Sequence, residues 1–198
     1  MKGILFVLSG PSGTGKGTVC KEVLNREDAL TISISATTRE KRVGEVDGET
    51  YHYVTKDDFE SMIDKGEMLE YAMYNGNYYG TPKAGVETLL DEGKDVMLEI
   101  EPQGALQVKK LFPEAVLMFL VPPSMSELKN RLVTRGRESA EEIAERIKTA
   151  KWELEQADKY TVIIENDDFE ECVKTVLDYI SQKRSDRATI DRLINENV

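Results

Sequence analysis

The segment Leu8–Val19 reads LSGPSGTGKGTV and spaces Gly10, Gly15 and Lys16 as in the phosphate-binding pattern G-x-x-x-x-G-K-[ST]. The spacing carries a definite chemistry. Glycines at 10, 13 and 15 let successive backbone N–H groups turn inward on phosphate oxygens, and the positive end of a following helix adds to the attraction. Lys16 then reaches the transferring phosphate, its charge used at a solvent-facing site and not in the core. Gly10, Pro11, Ser12, Gly13, Thr14, Gly15, Lys16, Gly17 and Thr18 together form the expected triphosphate cradle. Position 17 departs from the pattern, because the hydroxyl that would hold Mg²⁺ is missing at Gly17 and arrives one residue late at Thr18. Mg²⁺ keeps several waters and takes few protein ligands when substrate phosphates are present. The loop therefore still suits a nucleoside triphosphate with Mg²⁺ held mainly through phosphates and water, with no direct protein ligand assigned.

Other constellations are thin. His52 is the only histidine, which leaves histidine metal clusters and Ser/His/Asp triads without support. Cys20 and Cys172 lack metal-ligand spacing and fall in helix-like segments, so they read as core filling. The net charge of −11 opposes non-specific nucleic-acid binding, which rests on phosphate neutralisation. An anionic ligand must then meet locally clustered cations, and one such cluster is the turn TRGRES with Arg135 and Arg137.

These residues need a scaffold. At 198 residues the chain suits one substantial folding unit. Its longest apolar runs, ILFVL and AVLMFLV, fall short of a membrane span. The start MKGILFVLSG leads into a glycine turn instead of a cleavage site, so it reads as a buried strand of a cytoplasmic protein. Apolar β-rich runs alternate with helical patterns, which predicts an α/β fold with a mainly parallel sheet. Strands are expected at Ile4–Ser9, Asp95–Glu101, Ala115–Val121 and Thr161–Glu165, each followed by a helix. After the last, Asn166 and Asp167 are expected to cap a helix whose stripe is Phe169, Cys172, Val173, Val176, Leu177 and Ile180. Residues 35–82 interrupt this rhythm with the strand-like TYHYVT and EMLEYAMY around a helical KDDFESMIDKG, as an insertion would. In residues 124–157 two helices flank TRGRES, and Ile143, Ile147, Ala150, Leu154 and Ala157 form a stripe that sets Arg146 beside a packed face. From Arg184 onward the chain is highly charged, either a helical extension or a frayed tail.

The form G-K-G-T resembles the loops of nucleoside monophosphate kinases more than those of switch GTPases. The runs SISATTREKRVGEVDGETYHYV, GEMLEYAMYNGNYYGTP and DVMLEIEPQGA, with the NDD turn at 166–168 and RGR at 135–137, resemble guanylate kinase up to about Ile180. The resemblance implies a three-layer P-loop kinase core (1–34, 83–123 and 158–184), a GMP-binding insertion (35–82), a helical lid (124–157) and a charged extension (185–198). It implies transfer of the terminal phosphate of ATP to GMP, giving ADP and GDP in purine metabolism, with Mg²⁺ accompanying ATP. ATP and GMP would be the partners, with no nucleic acid and no membrane, and a homo-oligomer is compatible with the sequence.

By the same resemblance Arg39, Arg42, Tyr51 and Tyr79 surround the GMP phosphate, and Ser35, Glu70, Thr81 and Glu101 surround guanine. Arg135 and Arg146 act on the transferring phosphate, and Asn166 with Arg131 lies near adenine. Lys16, Arg39, Arg135 and Arg146 are the catalytic set. The chemistry agrees, since guanidinium forks and phenols donate well to a phosphate dianion, and carboxylates accept from N1–H and N2–H₂ of guanine. Taken singly, each arginine would be a solvated surface group and each tyrosine a packing residue. The chain departs from the family in carrying Glu101 where Asp is usual, Pro102 for an aliphatic residue, and Arg137 for a smaller one. Two rivals follow: a binding module of the family without catalysis, which should lack loop or arginine elements, and a kinase for another nucleotide, which the acidic guanine-facing set disfavours.

Overall fold

Alternating apolar strands and amphipathic helices carry the chain in the computed structural model, which describes residues 2–74, 76–134 and 139–195. In chain order the strands are β1 (Leu5–Ser9), β2 (Leu30–Ile32), β3 (Ala36–Thr37), β4 (His52–Tyr53), β5 (Met68–Tyr74), β6 (Asn77–Pro82), β7 (Asp95–Glu99), β8 (Val116–Val121) and β9 (Val162–Glu165). The α-helices are α1 (Lys16–Arg26), α2 (Lys56–Asp64), α3 (Lys83–Asp91), α4 (Pro102–Leu111), α5 (Met125–Thr134), α6 (Ala140–Leu154) and α7 (Phe169–Asn195). The four expected strands are all present within two residues of their expected bounds. The chain divides into two compact units, Met1–Ser9 with Ala29–Leu117 and Gly10–Asp28 with Met118–Val198.

In the first unit β7 pairs in parallel with both β1 and β2, in register Phe6 to Met97 and Thr31 to Val96. Phe6, Val7, Leu8, Val96, Met97 and Leu98 are all buried, as strands covered on both faces require. The unit also holds a second, four-stranded sheet in the order β4-β3-β6-β5. Here β3 and β4 are parallel, whereas β3–β6 and β5–β6 are antiparallel. One face of this sheet is covered by α2: Phe59 stacks on Tyr78 with ring centroids 5.0 Å apart, in a cluster with Ala36, Met68, Val54, Met62 and Ile63. Thr55 caps α2 by accepting from the Asp58 N–H. Pro102 opens α4 at its first position, where its missing N–H costs nothing, and Glu101 is the N-cap.

In the second unit β8 and β9 pair in parallel, Phe119 opposite Ile163. α1 packs with α7, and α5 with α6. The α7 stripe buries Cys172, Val173, Val176 and Ile180 as expected, with Leu177 half-buried and Phe169 at the exposed margin. Its cap differs from expectation. Asp168 accepts from the Glu171 N–H at 2.9 Å, three residues on as a cap requires, while the Asn166 side chain turns elsewhere. The charged tail continues α7 as helix to Asn195. Ser139 and Glu142 form a reciprocal capping box at the start of α6. Leu128, Leu132 and Ala150 cluster with Met125 and Ile147, which sets the face beside which Arg146 emerges.

Candidate active site

The phosphate loop begins where β1 ends. A side chain at Gly10 would collide with the Leu120 carbonyl, so the chain passes there only as glycine. Gly15 is the N-cap of α1, in the left-handed region at φ 92°, and has no side chain to satisfy the helix's first N–H groups. An uncapped, glycine-led helix start is suited to an anion. The loop is tied internally: Thr14 donates its hydroxyl to Pro11 O at 2.8 Å, and Asn166 donates Nδ2 to Thr14 O at 2.7 Å. Asn166 is in turn held through its own carbonyl by Arg131 Nη2 at 2.9 Å, and Glu127 holds Arg131 Nε at 2.9 Å. Arg146 reaches the loop, donating Nη1 to Ser12 Oγ at 3.1 Å.

Lys16 does not face solvent as expected. It is 6% exposed, and its ammonium donates to Gly10 O at 2.7 Å and Pro11 O at 3.4 Å. Carbonyls of the loop itself thus hold the ammonium. Gly17 and Thr18 are exposed in the first turn of α1. Among the described residues no group of three His, Cys, Asp or Glu could hold a metal ion by itself. A divalent cation that keeps its waters and nucleotide phosphates needs few protein ligands, and exposed Thr18 in the first turn of α1 offers one hydroxyl.

The other constellation lies in the first unit, on the face of the second sheet opposite α2. Glu70 on β5 pairs with Thr81 on β6, and Ser35 comes next to Thr81 one step beyond the pair Ala36–Gly80. Opposed residues share a face, so Ser35, Thr81 and Glu70 form a polar row across three strands. Tyr79, two residues from Thr81, extends that face. Thr81 donates its hydroxyl to Glu70 Oε1 at 2.7 Å, and Glu70 is 6% exposed. Burial pushes its carboxyl above the usual range, and the hydrogen bonds from Thr81 only partly offset this. Glu101, exposed at the start of α4, stands one turn before Gly104, whose bare Cα faces Glu70 Oε2.

Arg39 gathers the aromatic residues. Its guanidinium lies 5.7 Å from the Tyr51 ring and 5.9 Å from the Tyr53 ring. Tyr51 and Tyr79 meet edge to face at 5.9 Å. Glu45 clamps Arg39 with both oxygens, accepting from Nη2 at 2.7 Å and Nη1 at 3.0 Å. Glu45 also accepts from the Arg42 N–H at 2.7 Å and the Tyr53 hydroxyl at 2.8 Å. Those donors, Arg39 first, pull its carboxyl down to about 2, and the Glu45 carboxylate in turn raises Arg39 above its ordinary value. Burial raises the Tyr51 phenol, which therefore stays protonated and able to donate.

The family model for guanylate kinase matches residues 2–183, which include both the glycine loop and the second sheet with its arginine, tyrosine and acidic groups. The chain belongs to the guanylate kinase family. It is 53% identical over 189 residues to a guanylate kinase of Oceanobacillus iheyensis, covering 96% of this chain and 92% of that one. It is 55% identical over 170 residues to a guanylate kinase of Bacillus subtilis, covering 85% and 83% of the two chains. The crystal structure of guanylate kinase from Anaplasma phagocytophilum matches with a TM-score of 0.72 at 31% identity, over 92% of this chain and 86% of that one.

Within this guanylate kinase fold the residues expected from sequence fall into two groups. Gly10 to Thr18, Arg131, Arg146 and Asn166 lie together in the second unit, and Ser35, Arg39, Tyr51, Glu70, Tyr79, Thr81 and Glu101 in the first. Arg42 is exposed, and only its backbone joins the cluster. Arg135 and Arg137 lie outside the described residues. Sequence reasoning missed Glu45, Tyr53 and Gln107. Nothing in a loop with glycines at 44 and 48 could have paired Arg39 with Glu45, although opposite charges six residues apart around a turn are the only signal available.

Proposed function

We propose that the two groups are the donor and acceptor halves of the family's reaction, transfer of the terminal phosphate of ATP to GMP. The chain is an ATP:GMP phosphotransferase, releasing ADP and GDP. A GMP phosphate oxygen attacks the terminal phosphorus of ATP while the bond to the bridging oxygen breaks, leaving its electron pair on ADP. The attacking oxygen is already anionic, so no general base is needed. Catalysis then rests on placement and on neutralising charge, which suits a chain with one histidine.

In the donor half the N–H groups of the loop from Gly10 to Thr18 bind the triphosphate, and Lys16 swings from the Gly10 carbonyl to the terminal phosphate. Arg146 leaves Ser12 for the same phosphate, joined by Arg135. Arg131 and Asn166 border the adenine. Mg²⁺ bound with ATP would supply Lewis-acid charge on the phosphate oxygens, with Thr18 beside it. In the acceptor half Arg39, Arg42, Tyr51 and Tyr79 take the GMP phosphate, while Ser35, Thr81, Glu70 and Glu101 take the base. The chain's bounds for these parts are a core at 1–34, 83–123 and 158–184, the insertion at 35–82 and the lid at 124–157.

The observation that carries this reading is the buried Glu70, an acceptor held by the Thr81 hydroxyl at Oε1 on the polar face of its sheet. Guanine offers N1–H and N2–H₂ to such an acceptor, where adenine offers a lone pair at N1 and no 2-amino group. We place the reaction in the cytoplasm, where free thiols such as Cys20 and Cys172 stay reduced. Among the described residues no helix is long and apolar enough to cross a membrane. ADP release measured with ATP and each of GMP, AMP, CMP and UMP tests the reading. GMP should be preferred by roughly 10⁴-fold, because a buried acceptor is left opposed by the wrong base. Comparable turnover with AMP would refute it.

A further inference from the structure

Glu70 lies on the outermost strand of its sheet, and among the described residues no strand lies beyond β5. Backbone groups on such an edge are unpaired unless something else meets them. At Tyr71, the residue next to Glu70, a side chain of α4 meets them. The Tyr71 N–H donates to Gln107 Oε1 at 3.2 Å, and Gln107 Nε2 donates to the Tyr71 carbonyl at 2.9 Å. One carboxamide thus supplies both the acceptor and the donor that a neighbouring strand would.

Gly104 lies three residues earlier on the same face of α4. A methyl group there would land on Glu70 Oε2. The β5–β6 ladder also shifts register between Met68 and Glu70. Irregularities of this kind bend a strand and re-aim its side chains, so the ladder alone does not fix where Glu70 points. Thr81 fixes Oε1, and the attachment of β5 to α4 remains to fix Oε2.

We infer that Gln107 is a positioning residue for Glu70, bolting β5 to α4 at Tyr71 so that Oε2 sits in the gap Gly104 leaves. The inference rests on Glu70 being the acceptor that reads the guanine base. It gives Gln107 a role in base choice without contact to the nucleotide. A side chain that only covered the strand edge would support the fold and leave base choice untouched.

The test is Gln107→Met, which keeps length and bulk and removes both hydrogen bonds. Steady-state kinetics are measured with GMP, with inosine monophosphate, whose base lacks the exocyclic amino group, and with ATP. The KM for GMP should rise about five- to tenfold, the scale of one lost hydrogen-bonding side chain. The preference for GMP over inosine monophosphate should fall, while kcat and the KM for ATP stay near wild type. In a Glu70→Gln background the same substitution should add nothing, since it acts through Glu70. A GMP KM within twofold of wild type, or effects that multiply in the double variant, would overturn the inference. If Glu70→Gln is itself without effect, the base-reading role fails and the inference falls with it. A responsive Glu70→Gln beside an unresponsive Gln107→Met sinks only the clamp. Should Gln107→Met fail to fold, Gly104→Ala tests the same seat: the added methyl must displace Oε2 and raise the GMP KM, and an unchanged KM contradicts the inference.

Discussion

Two carboxylates with opposite surroundings show what a single residue contributes. Glu70 is buried with Thr81 hydroxyl as its donor, and burial raises its carboxyl above the usual range. Accepting from guanine requires the charged form, so GMP binding should weaken as pH falls toward that raised value. The GMP phosphate itself titrates near pH ~6, so the KM for GMP of the wild type is divided by that of Glu70→Gln at each pH. The quotient should climb on the acid side, and the KM for ATP should not follow it. Glu45 runs the other way. Its folded-state carboxyl is lowered to about 2 by Arg39, the Arg42 N–H and the Tyr53 hydroxyl, against an ordinary 4.5. The stabilisation is present above pH 4.5 and is lost as pH falls toward about 2. Glu45→Gln should therefore lower the denaturation midpoint at neutral pH and flatten its decline over that acid window. An unchanged acid limb would mean the fork to Arg39 does not contribute. The sequence named Glu70 through a resemblance and missed Glu45 altogether, because a loop has no periodicity from which to read a partner. It also set Lys16 toward solvent, since spacing reveals a lysine's position but not the carbonyls that recapture it.

At the scale of elements, legibility followed the length of the apolar run. β1, β7, β8 and β9 are short apolar runs, and each could be read from composition alone. β2 and β3 span three and two residues, too few for a pattern, and β6 is NYYGTP, whose glycine and proline argue against a strand. Pairing with β3 and β5 overrides that local preference. The cap of α7 was placed on Asn166 and Asp167 because either could serve, but Asn166 is used to tie the loop at Thr14. The capping box of α6 is more decisive. Ser139 accepts from the Glu142 N–H at 3.2 Å, and Glu142 accepts from the Ser139 N–H at 2.7 Å. This box starts the helix that carries Arg146. Ser139→Ala should cost about 1 kcal/mol of stability in denaturant unfolding. It should also slow turnover more than it changes the KM for GMP, because we assign Arg146 to the donor half. A loss confined to the GMP KM would contradict that assignment.

For the whole molecule, the residues assigned to ATP fall in one compact unit and those assigned to GMP in the other. Composition set the outer limits, with a net charge of −11 that leaves anion binding to local clusters. The division into units was not visible in the sequence, because each unit is assembled from segments distant along the chain. On the proposed assignment each substrate is read by its own set of residues. Calorimetric titration of GMP and of a non-hydrolysable ATP analogue, each into Lys16→Met and Glu70→Gln, tests it directly. Glu70→Gln should weaken GMP about a hundredfold, as a buried acceptor turned to a donor would, and leave the ATP analogue within twofold. Lys16→Met should weaken the ATP analogue about tenfold or more and leave GMP within twofold. If either substitution weakened both ligands equally, the division of the site into a loop that holds ATP and a sheet that reads GMP would be wrong.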